Sequence, residues 1–187
     1  NHGWSAHREV QQAEGMRLPL FTQDPRRLVA FSDILGSGQQ HLVEITADGV
    51  TVWPNTGHGQ FATPLTLPGF NLPTDTVFSP ERVVLADTDG SGTVDILYLH
   101  KKGVQVFINR SGNSFYDAGM IPTPEDVNLD NTCHLQVADV QGLGVGSLLL
   151  TIPHPVPRTW MMNLNTQKPW LLSETCNNLG SRTLLTY

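Results

Sequence analysis

Apolar residues in this chain fall into runs of four to six, rich in Val, Ile, Leu and aromatics, separated by Gly-rich turns. Residues 42–45 (LVEI), 96–99 (ILYL) and 147–152 (SLLLTI) are runs of this kind. Elsewhere the apolar positions alternate, with Val50 and Val52 in one stretch and Val104, Val106 and Ile108 in another. Alternation puts every second side chain on one face of a strand. No apolar period of 3.6 residues is sustained, so the pattern predicts short β-strands joined by turns.

The pattern also repeats. "AFSDILGSG" at 30–38 followed by "HLVEI", "LADTDGSG" at 85–92 followed by "DILYL", and "VADVQGLG" at 137–144 followed by "SLLL" share one frame. The leading Asp moves from Asp33 to Asp87 to Asp139, steps of 54 and 52 residues. The second half of the unit recurs too: Gly49-Val50-Thr51-Val52-Trp53-Pro54-Asn55 matches Gly103-Val104-Gln105-Val106-Phe107-Ile108-Asn109. Each Asn is followed six residues later by an aromatic, Phe61 or Phe115. His2-Gly3-Trp4 reads as the tail of an earlier unit.

A unit of some fifty residues with about four short strands fits a propeller blade, which must stack on neighbours to bury its faces. The expected fold is all-β, a partial β-propeller of about three four-stranded blades and a fragment of a larger propeller. A β-sandwich is the rival. The expected divisions are 1–26, the end of a preceding blade and connector; 27–80, a blade-like repeat; 81–132, a repeat with a cation loop; and 133–187, an irregular last blade and exit. Trp53, Phe107, Phe61 and Phe115 are expected in the blade core. Trp4, Trp160 and Trp170 are expected to pack or to anchor an interface. Pro153, Pro155 and Pro157 are expected to break the third unit or start a departing linker, because a central ladder strand cannot run through them. Residues 177–180 read as a turn, and 182–187 as the start of a further strand.

Composition narrows the function. The chain has 187 residues, with 11 Lys and Arg against 17 Asp and Glu, a formal charge of -6. That length suits one domain or one and a half. Only 15% of residues are charged, while Gly and Pro number 17 and 13. This balance excludes a coiled coil and a charged disordered tail. Nucleic-acid binding needs clustered cations, and the only clusters are the pairs Arg26-Arg27 and Lys101-Lys102. The apolar stretch at 147–152 is too short to span a bilayer, so no direct membrane insertion is expected. No signal peptide opens the chain, and a first residue of Asn1 fits a processed or excised piece. Cys133 and Cys176 allow one disulfide but no framework.

One loop is chemically distinct. In 87–95 (DTDGSGTVD), Asp87, Asp89, Ser91 and Asp95 put oxygen donors at loop positions 1, 3, 5 and 9, and the Thr93 carbonyl falls at position 7. Gly92 at position 6 permits the sharp turn that wraps such donors round one calcium ion. Position 12 is Tyr98, so this is not a complete EF-hand loop. The alternative is an Asp/Gly hairpin whose carboxylates cap backbone N–H groups. The sister loops keep only the leading carboxylate, Asp33 or Asp139, and the sixth-position glycine, Gly38 or Gly144. Their Asp is expected to accept local N–H bonds as an Asx turn, without an ion.

Catalysis finds little footing. The candidate groupings are His134 with Asp139 and Cys133, and His41 with Asp33. No Gly-x-Ser-x-Gly elbow, His-Glu-x-x-His or phosphate loop accompanies them.

The Asp loops resemble the FG-GAP or VCBS type of repeat found in integrin-like propellers. Longer stretches, "LVAFSDILGSGQQHLVEI" at 28–45, "VTVWPNTGHGQF" at 50–61, "FSPERVVLADTDGSGTVDILYLH" at 78–100, "CHLQVADVQGLGVGSLLLTIPHPVPRTW" at 133–160 and "QKPWLLSETCNNLG" at 167–180, resemble the B component of bacterial insecticidal toxin complexes, in its SpvB/TcdB-type middle region. The resemblance implies a secreted, non-enzymatic propeller segment. In that family B and the C component form a hollow Rhs-type β shell enclosing a toxin, and B's propeller closes the shell and docks it on the pentameric A component, a translocation channel. The implied partners are the remainder of B, the C component and the A component. Asp87, Asp89, Ser91, Thr93 and Asp95 match the repeat's cation loop, and no catalytic residue carries over. The other function class is a secreted integrin-like or lectin-like propeller module binding protein or carbohydrate.

Overall fold

The computed structural model describes residues 3–10, 16–21, 24–74, 76–124, 127 and 129–187. His2 therefore lies outside the described residues, and Trp4 is fully exposed. The strands follow the repeat. β1 (Arg27–Ser32), β2 (His41–Thr46) and β3 (Gly49–Trp53) form a meander. A small hairpin of β4 (Asn55–Gly57) and β5 (Gln60–Phe61) follows, and β6 (Leu65–Leu67) returns to pair with β3. The first sheet thus has the order β1-β2-β3-β6. The second repeat gives β7 (Val83–Ala86), β8 (Asp95–His100), β9 (Gly103–Asn109) and β10 (Phe115–Pro122), in the order β10-β9-β8-β7. The third gives β11 (His134–Ala138), β12 (Ser147–Ile152) and β13 (Arg158–Asn163). A separate hairpin, β14 (Glu174–Cys176) with β15 (Arg182–Leu184), turns through Asn177 to Gly180 as expected. All pairings are antiparallel.

The registers of the first two strands coincide in every sheet. Ser32 pairs with His41, Ala86 with Asp95, and Ala138 with Ser147. Each pair closes an Asp loop at its ninth position.

The sheets stack face to face. Val43, Ile45, Val50 and Val52 of the first share one core with Ile96, Tyr98, Phe107 and Phe115 of the second. Leu97, Leu99, Val104 and Val106, from the opposite face of the second sheet, share another core with Leu135, Leu148, Leu150 and Ile152 of the third. β8 alternates between the two cores, which is why its sequence reads as a continuous apolar run. Trp53, Phe107 and Phe115 are buried as expected, and Phe61 is half-buried. The middle sheet is thus buried on both faces, while no closed ring or barrel forms among the described residues.

In the third repeat one expectation is corrected, and of the two alternatives for its prolines one falls away. The repeat forms a three-stranded sheet, not a four-stranded one, and β13 is an edge strand exposed along its length. The chain does not turn back beside β13, because Asn165 and Trp170 are hydrogen-bonded to the second repeat's Asp loop. The proline run does not start a departing linker. Pro153, Pro155 and Pro157 lie in the connection between β12 and β13, where no ladder bond is required of them, and the ladder resumes at Arg158 opposite Ile152. Cys133 is buried and Cys176 exposed, and both are free thiols. Among the described residues no helix is long and apolar enough to cross a membrane.

Candidate cation loop and its sister loops

The three Asp loops share one closure. Asp33 accepts the N–H groups of Ser37 at 2.8 Å and Gly38 at 2.7 Å. Asp87 accepts those of Ser91 at 3.1 Å and Gly92 at 2.9 Å, and Asp139 those of Leu143 at 3.0 Å and Gly144 at 2.7 Å. Each carboxylate therefore ties positions 5 and 6 back to position 1, as expected of the two sister loops. Glycines at positions 4 and 6 carry positive φ in all three loops: 67° and 79°, 71° and 85°, 69° and 71°. A residue with a Cβ adopts that region only at a cost, which explains the Gly-x-Gly spacing.

The ninth position carries a second closure. Asp95 is fully buried at the start of β8. Its Oδ1 accepts the Asn109 N–H at 2.8 Å, and its Oδ2 accepts the Thr88 N–H at 2.8 Å and the Thr88 hydroxyl. His41 does the same work in the first repeat, its Nδ1 accepting the Asn55 N–H at 2.9 Å. In the third, the Ser147 hydroxyl donates to the side chain of Asn163 at 3.0 Å. Asn55 and Asn109 thus occupy one structural place, while Asn163 lies one residue earlier in register, since Met162 stands opposite Leu148 as Trp53 does opposite Leu42 and Phe107 opposite Ile96. The register of the third repeat was hidden in the sequence by the five-residue Pro-rich loop, which stands where the other repeats have two-residue turns.

Only the second loop gathers acids. Oxygens of Asp87, Asp89 and Asp95 lie within 4.8 Å of one another. Asp89 accepts the Ser91 N–H at 2.9 Å, and the Ser91 and Thr93 hydroxyls lie 2.9 Å apart. Burial pushes the Asp95 carboxyl above its usual range, the backbone and Thr88 bonds pull it back, and the Asp89 charge raises it further. A carboxylate keeps acceptor capacity beyond the N–H bonds drawn here. The donor set is all oxygen, with three carboxylates on one small volume, and it fits a hard divalent cation.

The grouping around His41 is not a nucleophile site. Ser37 Oγ lies 2.7 Å from His41 Nε2, and Asp33 stands 3.9 Å from the same nitrogen. Since Nδ1 accepts the Asn55 N–H, the neutral ring carries its proton on Nε2 and donates to Ser37. It has no lone pair there to take the serine's proton. His134 is exposed, and the Cys133 thiol points to Asp130 at 3.5 Å, burial holding its pKa up.

The comparisons with known proteins bear on this geometry. The family described as "Insecticide toxin TcdB middle/N-terminal region" matches residues 109–187. A chain of the Photorhabdus luminescens Tc holotoxin pore is 51% identical over 91% of this chain, with a TM-score of 0.83. The crystal structure of TcdB2-TccC3 without its hypervariable C-terminal region is 51% identical over 96% of this chain, also at 0.83. TcdB2-TccC3-Cdc42 is 54% identical over 81%, at 0.75. This chain is homologous to the middle region of a Tc-toxin B component.

It spans only 7–8% of the length of those solved chains. The family match to the B-component middle region begins at Asn109, so the acidic loop at 87–95 precedes it. The comparison with curated proteins gives no match. An Agrocybe aegerita lectin that recognises N-acetylglucosamine is 17% identical over 76% of this chain and 44% of its own, with a TM-score of 0.55, a likeness of fold alone.

Within this B-component segment, sequence reasoning missed the residues that join the repeats. Asn109 Nδ2 donates to the Ile34 carbonyl at 2.7 Å, Asn165 Nδ2 to the Thr88 carbonyl at 2.8 Å, and Trp170 Nε1 to the Asp89 carbonyl at 3.0 Å. The recurrence of Asn55 and Asn109 was the available signal. Trp170 anchors an interface through its N–H while its ring stays largely exposed.

Proposed function

We propose that this chain is a non-enzymatic propeller segment of a secreted toxin-complex B component, helping to close the toxin-enclosing shell and to dock or gate it on the A-component channel. The observation that carries this reading is 49–54% identity to TcdB2-TccC3 and Tc holotoxin chains across most of the sequence. Its partners are then the remainder of B, the C component and the pentameric A component. The face-to-face stack supports blades at 27–80 and 81–132 and an irregular one at 133–187. Within a stack of sheets the ladders persist while contacts between blades rearrange, and that is what a gate requires. In the second blade Asp87, Asp89, Ser91, Thr93 and Asp95 bind one calcium ion, which offsets the repulsion of three clustered carboxylates.

The test uses full-length B containing this segment, assembled with C and then with A, and read by size-exclusion chromatography and negative-stain imaging. Asn109→Ala, which loosens the first two repeats, is expected to leave C bound and to weaken docking on A. Docking and cargo retention identical to wild type overturn the role. Parallel calcium and chelator arms show whether the Asp87 loop shapes the docking surface.

A further inference from the structure

The two junctions between sheets are fastened by different kinds of segment. At the first, the fasteners sit in strands of the second sheet or in the loops that join them. Asn109, the last residue of β9, donates to the Ile34 carbonyl at 2.7 Å. Phe115, the first residue of β10, donates its N–H to the Pro68 carbonyl at 2.8 Å. Thr93, between β7 and β8, lies against Gly36, where a Cβ would stand 2.6 Å from its Cγ2. These residues cannot leave the first repeat without disturbing the ladder that holds them.

The second Asp loop is covered instead by residues that belong to no strand, between the end of β13 at Asn163 and the start of β14 at Glu174. Asn165 Nδ2 donates to the Thr88 carbonyl at 2.8 Å, and Trp170 Nε1 to the Asp89 carbonyl at 3.0 Å. Pro169 fills the space over Gly90, where a Cβ would stand 2.6 Å from its Cγ. Both ends of the segment are anchored outside this loop. The Leu164 N–H donates to the Gly146 carbonyl at 3.2 Å, and the Ser173 carbonyl accepts the Leu185 N–H at 2.9 Å. Between these anchors, among the described residues, 165–172 make no hydrogen bond from main chain to main chain. Trp170 also holds φ 59°, a left-handed conformation that is costly for a residue with a Cβ. The apolar core between the second and third sheets, with Leu97, Leu99, Leu148 and Leu150, includes none of 165–172. A segment held by side chains alone, outside the core, opens at lower free energy than the ladders beside it.

We propose that residues 165–172 form a releasable strap, which lifts as a unit from the 88–90 loop while the second and third sheets stay paired and packed. The second Asp loop, unlike the first, is then uncovered without opening the stack. Lifting gives up the Asn165 and Trp170 bonds and the Pro169–Gly90 contact, and it relieves the Trp170 backbone. The inference rests on the contrast between the two junctions, not on the toxin-complex role.

Limited chymotrypsin digestion of full-length B containing this segment tests the strap, with fragments assigned by mass spectrometry. Chelator is present throughout, so ion occupancy of the 87–95 loop does not enter. Trp170, Leu171 and Leu172 are the cleavage points in the strap. Cleavage there follows the population of the lifted state when lifting is fast. Asn165→Ala removes one of the two loop bonds and is expected to raise strap cleavage about two- to tenfold. The rate is expected to be nearly flat in low urea, because lifting exposes little surface. Amide exchange at β8 and β12 is expected to match wild type, which also shows that the variant folds. No gain in strap cleavage with Asn165→Ala overturns the proposal. So does a rate that climbs steeply with urea, or a gain matched by faster exchange at β8 and β12, since the strap would then open only with the sheets. Neither readout involves the A or C component, so the toxin-complex reading is judged separately.

Discussion

Asn109 fastens the second repeat to the first through one amide nitrogen, which donates to the Ile34 carbonyl at 2.7 Å and the Val94 carbonyl at 2.9 Å. Its Oδ1 meanwhile holds the Gly112 N–H. The site is buried, and a buried carbonyl stripped of its donor costs about 1–3 kcal/mol. Asn109→Ala is expected to lower unfolding free energy by about that much in urea titration. Asn109→Asp keeps the acceptor but turns an oxygen toward two carbonyls, so it is expected to be no better than alanine. Stability unchanged in both variants would show that apolar packing alone joins the sheets.

His41 makes the first repeat sensitive to acid. Burial lowers its pKa from the ordinary 6.5, and the charge of nearby Asp33 opposes this only in part. Its Nδ1 accepts the Asn55 N–H, Nε2 faces Ser37, and a second proton on Nδ1 would confront that N–H. Between the folded value and 6.5 the unfolded chain binds more protons, so stability rises with pH. The contribution of His41 is present above 6.5 and lost as pH falls through the folded value. Melting temperatures across this range are expected to drop more steeply on acidification for wild type than for His41→Gln. Equal slopes would remove His41 as the cause.

Most of the fold was legible because the same physical demands recur. The Asp–x–x–Gly–x–Gly loop needs one carboxylate and two positive-φ residues, and those letters survive in all three repeats. The alternation of Val104 and Val106 and the run at 96–99 both showed strands, and the run is unbroken because its sheet is covered on both sides. The ninth position was legible only in part. Asp95, His41 and Ser147 share no chemistry beyond a polar atom near the third strand's end, so their common role appears only once the strands are paired. The missing fourth strand of the third sheet was not legible. It depends on Asn165 and Trp170 reaching a loop about 80 residues earlier, and local pattern carries no trace of that contact.

Glycines at the repeat junction separate backbone strain from close packing. Gly38 has φ 79° and open space around its Cβ position. Gly69 has φ 91°, and a Cβ there would overlap the Phe115 carbonyl, whose own N–H donates to the Pro68 carbonyl at 2.8 Å. Gly38→Ala is expected to cost only the left-handed conformation, about 1–2 kcal/mol. Gly69→Ala adds overpacking between the first two sheets and is expected to cost about 3 kcal/mol or more. Chemical denaturation ranks them, and equal costs would mean that the Gly69–Phe115 junction yields freely.

An acidic cluster separates the second loop from its sisters. All three loops are closed by the leading Asp, so an ion is not needed to form the turn. What sets the second apart is the pair Asp89 and Asp95, the latter buried and pushed toward its neutral form by burial and by the Asp89 charge. A cation reverses that push. Calcium at about a hundred times its dissociation constant is expected to stabilise the fold by about 2.7 kcal/mol over chelator, read as a rise in melting temperature. Asp89→Asn removes one of three carboxylates and is expected to weaken calcium binding in calorimetry by about tenfold or more. In chelator the same substitution relieves repulsion on Asp95 and is expected to be neutral or slightly stabilising. Asp33→Asn, in a loop without the acidic pair, is expected to leave the calcium response intact. Melting temperatures that coincide in calcium and chelator would leave the 87–95 loop an Asx-type turn like the other two, with Asp89 serving the Ser91 N–H and Asp95 serving Thr88 and the Asn109 backbone.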